Sequence, residues 1–147
     1  MPKPQLIETR QRYSVFSVVT TRWKDNDVYG HVNNAVYNAW MDTAVTEFFR
    51  QHEPGLPGTP LIPVGVETHL TFHRSISHPD EVETGFRVVQ IGKSSVRCDV
   101  GIFSRGEIDA AAWGHMIHVW VDRSTNKAVS IPETMRRGLE TALMQKT

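Results

Sequence analysis

The stretch that decides the fold is Arg22-Trp23-Lys24-Asp25-Asn26-Asp27-Val28-Tyr29-Gly30-His31-Val32-Asn33-Asn34, together with the apolar segment that follows it. Carboxylate, amide, phenol and imidazole side chains lie within a few residues of a single glycine, Gly30. Asn33 or Asn34 is expected to cap a helix, because its side-chain oxygen can accept a hydrogen bond from a free N–H of the first turn. The other first-turn N–H groups would then face Asp27 and His31, an arrangement suited to stabilising an oxyanion.

The segment after this stretch has the period of a helix. Its apolar residues recur in steps of three and four, at Tyr37, Trp40, Met41, Ala44, Val45 and Phe48. Val36, Ala39 and Phe49 widen this stripe, so the helix is expected to be apolar nearly all round and therefore buried. It is predicted to span residues 34–52, because the Pro- and Gly-rich residues 53–60 cannot continue a helix.

Five other segments have the period of two that is typical of β-strands. They cover residues 13–23, 62–72, 81–91, 95–104 and 110–121. In the second segment the even-numbered residues from Ile62 to Phe72 are expected to share one face. Short turns between the later segments predict an antiparallel sheet, and the long helix is the element available to cover its apolar face. A shorter helix is expected to begin at residues 131–133, with Pro132 at a first helical position. The chain is therefore predicted to be one α+β domain, residues 1–147.

Composition excludes several classes of function. The 147 residues carry 16 Lys and Arg against 16 Asp and Glu, so no basic field is present to gather nucleic acid or an anionic membrane. No apolar run approaches the length of about 20 residues that a membrane span needs, and the N-terminus lacks an apolar signal-peptide core. The single cysteine, Cys98, predicts a small buried strand residue and suits a reducing compartment. The expected location is the cytoplasm.

The pattern Arg-Trp-x-Asp-x-Asp-x-x-Gly-His-Val-Asn-Asn-x-x-Tyr, with Ile91-Gly-Lys-Ser-Ser95 at a later turn, resembles the hotdog-fold acyl-CoA thioesterases. The similarity is greatest to the 4-hydroxybenzoyl-CoA thioesterase family, and plant acyl-carrier-protein thioesterases have a similar His-Val-Asn-Asn segment. The resemblance covers residues 13–132. It implies a hotdog fold, in which an antiparallel sheet of about five strands wraps one long helix. It also implies a homodimer or homotetramer with active sites at the dimer interface and no metal or cofactor, CoA being part of the substrate.

The same resemblance implies roles for particular residues. Asp27 matches the acid that acts on the thioester as nucleophile or general base, and the backbone N–H of Asn34 matches the group that polarises the carbonyl. His31 matches a histidine of the acyl-carrier-protein enzymes, and a hydrogen-bonded strut is the alternative role for it. Tyr29 departs from the asparagine of those enzymes and is expected to form a wall of the acyl pocket.

Further residues are predicted to lie near the substrate or to support the site. Asp25 is expected to hold Arg22, Lys24 or a backbone turn, and Asn33 to act as a cap or turn residue beside the substrate. Around bound CoA, the resemblance implies contacts from the turn that contains Ser94 and Ser95. Arg74 and Lys93 are the basic side chains predicted to meet the nucleotide phosphates, with solvated surface charge as the alternative. None of the other histidines has a spacing that requires a metal.

Three functions are compatible with this pattern. Hydrolysis of an acyl-CoA to a free acid and CoA is the prediction, because an acid and a histidine stand against the start of a buried helix. A non-catalytic module that binds acyl-CoA is the alternative on the same fold. A hydroxyacyl dehydratase fits less well, because its characteristic histidine-containing segment is missing. The acyl group and the choice between CoA and a carrier protein are not encoded in any motif.

Overall fold

A computed structural model of the protein describes residues 6–144, so the first five and last three residues of the predicted domain lie outside it. Its strands are β1 Val15–Val19, β2 Leu61–Phe72, β3 Val82–Ile91, β4 Ser95–Ser104 and β5 Ala112–Asp122. Its helices are α1 Asn34–His52 and α2 Glu133–Thr141, and short 3-10 segments occupy Arg10–Arg12 and Trp23–Asp25. Within the described part of the chain, no helix is long and apolar enough to cross a membrane.

The five strands form one antiparallel sheet in the order β1-β3-β4-β5-β2. Strands β3, β4 and β5 follow one another through short connections, whereas β1 and β2 add to opposite sides. The two edge strands differ in length, because β1 has 5 residues and β2 has 12. No strand formed by residues 6–144 lies beside the outer edge of β2, so this long edge presents a row of backbone groups.

Helix α1 packs one face against the sheet. Its buried residues are those of the predicted stripe together with Phe49: Tyr37, Trp40, Met41, Ala44, Val45, Phe48 and Phe49. They meet strand residues such as Phe86, Val100, Met116 and Trp120 in the main core. The opposite face is solvent-exposed and includes Ala39, so the prediction of a helix apolar nearly all round is wrong. Alanine is small enough to be exposed at little cost, and the polar residues of α1 lie on this outer side.

Helix α2 closes one end of the core. Its residues Met135 and Leu139 are fully buried, together with Ile131 just before it. Pro132 is the N-cap residue and thus precedes the first helical position for which it was predicted. Cys98 is fully buried in β4, as the sequence predicts, and burial raises the pKa of its thiol far above the usual value.

Two strand predictions need correction. The first strand is shorter than residues 13–23, because the chain leaves the sheet after Val19 and enters the Trp23–Asp25 turn. The alternation in β2 is interrupted, since its register against β5 shifts between Gly65 and Glu67 and leaves Val66 as an extra residue. Such a bulge twists a strand locally and breaks strict alternation. With these corrections, the sheet and its packed helix form the hotdog fold that the resemblance implies.

Candidate active site

The loop between β1 and α1 is built around the buried carboxylate of Asp25. This side chain is 1% exposed and accepts hydrogen bonds from the Arg22 backbone N–H and guanidinium at 2.8–3.3 Å. The Asp25 carbonyl also accepts from the Asn33 N–H at 2.9 Å. Asp25 thus ties the start of the loop to its end, which confirms the structural role predicted for it.

Asp27 stands at the turn of this loop and is held by one of its two carboxylate oxygens. Its Oδ1 accepts from the backbone N–H groups of Tyr29 at 2.8 Å and His31 at 3.3 Å. The Asp27 N–H donates to the His31 carbonyl at 2.7 Å, and Gly30 makes the turn with a φ of +80°. Positive φ is a conformation that glycine adopts without strain. Among the described residues Oδ2 has no hydrogen-bond partner, so the side chain is both fixed and available.

Helix α1 begins beside this carboxylate with one N–H group free. Asn33 is the N-cap residue, as predicted, and its Oδ1 accepts from the Ala35 N–H at 2.9 Å. The Val36 N–H donates to the Asn33 carbonyl at 2.9 Å. Within residues 6–144 the Asn34 N–H has no acceptor, so it can donate to a ligand with the helix dipole behind it.

The loop that follows β2 forms the opposite wall of the site. It is joined to the Asp27 loop by a hydrogen bond from the Val32 N–H to the Ile76 carbonyl at 2.7 Å and by one from Ser77 Oγ to the Gly30 carbonyl at 2.8 Å. The Ile76 N–H donates to Tyr37 Oη at 3.1 Å. Burial raises the pKa of the Tyr37 phenol, which therefore stays protonated at neutral pH.

These elements enclose a cleft of about 250 Å³ at the start of α1. We call it the N-terminal cleft; it is lined by Asp27, His31, Val32, Asn34, Tyr37 and residues 72–75. The structure thus brings Asp27, His31, Asn34 and Arg74 into one cavity. The His31 ring is exposed and makes no hydrogen bond to any described residue, so it does not act as a hydrogen-bonded strut in the protomer.

Arg74 lines the cleft with its guanidinium already partly engaged. Its Nη2 donates to the Asp109 carbonyl at 2.6 Å, and its backbone N–H donates to the Ala111 carbonyl at 3.0 Å. These bonds fix the side chain at the mouth of the cleft, where its charge remains available to an anion.

Other residues predicted to lie near the substrate are not in this cleft of the protomer. Tyr29 is 81% exposed on the loop surface. Lys93, Ser94 and Ser95 form the turn between β3 and β4, at the end of the sheet away from Asp27. Since β3 has 10 residues, this turn lies about 30 Å from the end of the sheet that carries the cleft.

Sequence reasoning missed part of the cleft wall. Phe72, His73 and Ser75 line it, and so does Tyr37, which is also buried in the core as the helical stripe predicts. The signal that could have found them is topological: β2 runs back along α1, so the end of β2 returns to the start of the helix. In the described part of the chain, no cluster of three or more His, Cys, Asp or Glu side chains is placed to hold a metal ion.

Comparison with known proteins agrees with this geometry. The profile of the Thioesterase-like superfamily matches residues 21–139, and the chain therefore belongs to that superfamily. The solved structure of the PA5185 protein from Pseudomonas aeruginosa is 33% identical in sequence to this chain and has a TM-score of 0.93. The match covers 97% of this chain and 100% of that chain. A comparison with curated protein sequences gives no match.

Two further solved structures share the fold. A thioesterase from Thermus thermophilus, complexed with coenzyme A and Zn, has 30% identity and a TM-score of 0.78 over 90% of this chain and 96% of that chain. A predicted thioesterase from Bacillus stearothermophilus has 22% identity and a TM-score of 0.79 over 90% of this chain and 98% of that chain. At 22% identity, the similarity to the Bacillus stearothermophilus protein concerns the fold alone.

Proposed function

We propose that the protein is an acyl-CoA thioesterase that hydrolyses the thioester in the N-terminal cleft. The observation that carries this proposal is that Asp27 and the start of α1 line one cleft, and that neither Asp27 Oδ2 nor the Asn34 N–H has a hydrogen-bond partner in the described part of the chain. The coenzyme A bound by the Thermus thermophilus relative supports CoA as the carrier of the acyl group.

The reaction needs two things from the protein. Attack on the thioester carbon puts negative charge on the carbonyl oxygen, and the Asn34 N–H can stabilise that charge; one well-placed donor contributes about 3–4 kcal/mol. Free Oδ2 of Asp27 either takes a proton from the attacking water or attacks the carbon itself. In the first route the proton taken up by Asp27 passes to the sulfur as the carbon–sulfur bond breaks, and CoA leaves as its thiol. In the second route CoA leaves as the thiolate and takes its proton from water, and a further water then hydrolyses the mixed anhydride on Asp27 to the free acid. His31 and Arg74 are the further polar groups at the cleft that can orient the substrate.

The open edge of β2 supports a homodimer in which two copies pair along this strand. Antiparallel pairing over its whole length sets Leu61 of one copy opposite the partner's Phe72 and continues the sheet across both copies. The two-fold axis reverses the direction of the partner's strands relative to those of the first copy. The turn that contains the partner's Lys93 therefore lies at the same end of the combined sheet as Asp27 of the first copy. Contacts of CoA with Lys93, Ser94 and Ser95 would therefore come from the second copy, and a tetramer of two such dimers is compatible with this pairing.

The proposal is tested by steady-state hydrolysis of a panel of acyl-CoAs by the wild type and by Asp27→Asn. We expect kcat to fall by about 10²–10⁴-fold, because the amide can neither accept the proton nor attack. The far-UV spectrum and melting temperature should stay close to the wild type, since Asn keeps an oxygen for the Tyr29 and His31 N–H groups. Glu140→Gln, at an exposed acid on α2, is the matched control.

Unchanged hydrolysis by Asp27→Asn would contradict the proposal. If the wild type instead binds acyl-CoAs and the intact ester is recovered by mass spectrometry after long incubation, the protein is a binding module.

A further inference from the structure

A second cleft lies under the other half of α1, and the proposed reaction does not use it within one protomer. Its volume is about 220 Å³, and we call it the C-terminal cleft. Its walls are mostly apolar and come from the last turns of α1, the loop after it and the start of β2: Phe49, Leu56, Pro57, Ile62 and Pro63. His118 of β5 lines it together with Thr46, Arg50 and Arg123.

His118 is a buried polar side chain that makes no hydrogen bond within residues 6–144. Its side chain is 5% exposed, Nδ1 is buried without a hydrogen-bond partner, and no described residue hydrogen-bonds its other ring nitrogen. Phe49 packs edge-on against the ring, with 5.1 Å between ring centroids. A buried polar atom without a partner is costly and uncommon, so an imidazole in an apolar cleft indicates a ligand group that completes it.

The state of the ring fits such a role. Burial lowers the pKa of His118, and Asp42 only partly opposes this effect. The imidazole is therefore neutral at pH 7, with one nitrogen that donates and one that accepts. A ligand with a hydroxyl or carbonyl group can pair with Nε2, because Nδ1 is fully buried, and Asp42, the acid that favours protonation of the ring, does not offset the effect of burial.

Gly65 leaves one side of the ring uncovered. It lies opposite His118 on the edge strand β2, and a Cβ at this position would be 3.6 Å from His118 Nε2. That distance is an ordinary contact, so alanine would fit without moving the backbone but would cover the nitrogen. The approach to His118 therefore opens toward the edge of the sheet, where the second copy is expected.

The proposed dimer brings the two clefts together across the interface. Both lie on the α1 side of the sheet, the N-terminal cleft beside Phe72 and the C-terminal cleft beside Ile62. Whole-length pairing of β2 sets these strand ends opposite each other, about 5 Å apart between neighbouring strands. Each C-terminal cleft then continues from the N-terminal cleft of the other copy.

Resting on the proposed function, the structure assigns a substrate class to this enzyme. We propose that the C-terminal cleft receives the far end of an acyl group bound at the partner's Asp27, and that His118 hydrogen-bonds a hydroxyl or carbonyl group carried there. The substrate is then an acyl thioester that is apolar along its chain and bears one polar group near its end. A plain acyl chain would leave His118 unpaired and bind less well.

The test compares kcat/KM for omega-hydroxyoctanoyl-CoA with that for octanoyl-CoA. We expect the wild type to prefer the hydroxylated ester, and His118→Phe to lower this preference by about five- to tenfold through loss of one hydrogen bond. Gly65→Ala should lower it in the same direction without changing the ring, and His118→Gln should recover part of it. His115→Gln, on the other face of β5, is the matched control and should keep the wild-type ratio.

A mixed dimer tests whether the contact crosses the interface. When His118→Phe is co-expressed with an excess of Asp27→Asn, every active site that retains Asp27 belongs to a His118→Phe subunit. In nearly all of these dimers the partner is an Asp27→Asn subunit, which carries His118. The preference should then return to the wild-type ratio. A ratio that stays at the His118→Phe value, or a ratio unaffected by both His118→Phe and Gly65→Ala, would overturn the inference. Failure of the proposed function would instead appear as full activity of Asp27→Asn alone.

Discussion

The two clefts at the two ends of α1 differ in kind. The N-terminal cleft is lined by Asp27, His31, Asn34 and Arg74, and its residues belong mainly to loops tied together by backbone hydrogen bonds. The C-terminal cleft is lined mostly by apolar residues, by two arginines and by the His118 imidazole, which has no hydrogen-bond partner within residues 6–144. One end of the helix thus offers groups that can act on a carbonyl, and the other offers space for an apolar chain. A substitution at one end should affect chemistry, and a substitution at the other should affect stability and selectivity.

The largest expected effect concerns the edge that joins the clefts. Val66→Asp places new carboxylates next to Glu67 near the expected two-fold axis, where like charges on the two copies repel each other by several kcal/mol. We expect the dimer to dissociate in analytical ultracentrifugation and kcat/KM to fall with it. Val18→Asp on the short edge strand β1 is the matched control, because Val18 is also exposed (72%). If Val66→Asp stays dimeric and active, the clefts are not joined through β2.

Phe49→Ala should lower the stability of the protein at the C-terminal cleft and leave the chemistry of the N-terminal cleft nearly unchanged. Phe49 is 2% exposed and packs against both His118 and Trp120, so its truncation should lower the free energy of unfolding by about 3–5 kcal/mol. Urea unfolding measures this loss. The variant should retain a kcat for short acyl-CoAs within severalfold of the wild type, because Asp27 and Asn34 lie at the other end of the helix. A loss of kcat as large as that expected for Asp27→Asn would contradict the assignment of chemistry to the N-terminal cleft alone.

The pH dependence of stability should report His118. Its pKa is lowered below 6.5 in the folded protein by burial, so above pH 6.5 both states are neutral and the group has no effect. Below that pH the unfolded chain takes up the proton first, and stability falls by at most about 1.4 kcal/mol per pH unit until the folded pKa is reached. His118→Phe should show a shallower decline of the melting temperature between pH 7 and pH 5. Parallel curves would contradict a neutral buried imidazole.

Local patterns in the sequence predict much of this molecule. The steps of three and four between Tyr37 and Phe48 fix the buried face of α1, and Asn33 caps it because the side chain reaches the first-turn N–H groups. The alternation in residues 82–104 predicts β3 and β4 to within a residue. These features depend on interactions between near neighbours in sequence, which a single chain displays directly.

Features that depend on distant contacts are missed. The bulge at Val66 arises from pairing with β5, and the local mark for it, Gly65 within the strand, does not show on which side of the glycine the register shifts. Tyr29 is exposed because the hydrogen bonds of Asp27 turn it outward, and the Lys93 turn is remote because β3 runs the length of the sheet. The wall formed by residues 72–75 and the isolation of His118 likewise depend on which segments the fold brings together. The superfamily resemblance locates Asp27, but the geometry of the protomer separates the predicted substrate contacts into two groups.

In the proposed reaction the N–H of Asn34, not its side chain, stabilises the charge that develops on the thioester oxygen. Asn34 is the first helical residue, where proline is tolerated, and the extended backbone of Asn33 (ψ 139°) is the conformation that a following proline requires. Asn34→Pro therefore removes the donor while keeping the helix, and Asn34→Ala keeps the donor. In single-turnover hydrolysis of the best acyl-CoA, we expect the rate for Asn34→Pro to be about 10²–10³-fold lower than the rate for Asn34→Ala. The melting temperatures of the two variants should be closely similar. Equal rates for the two variants would contradict this role of the N–H.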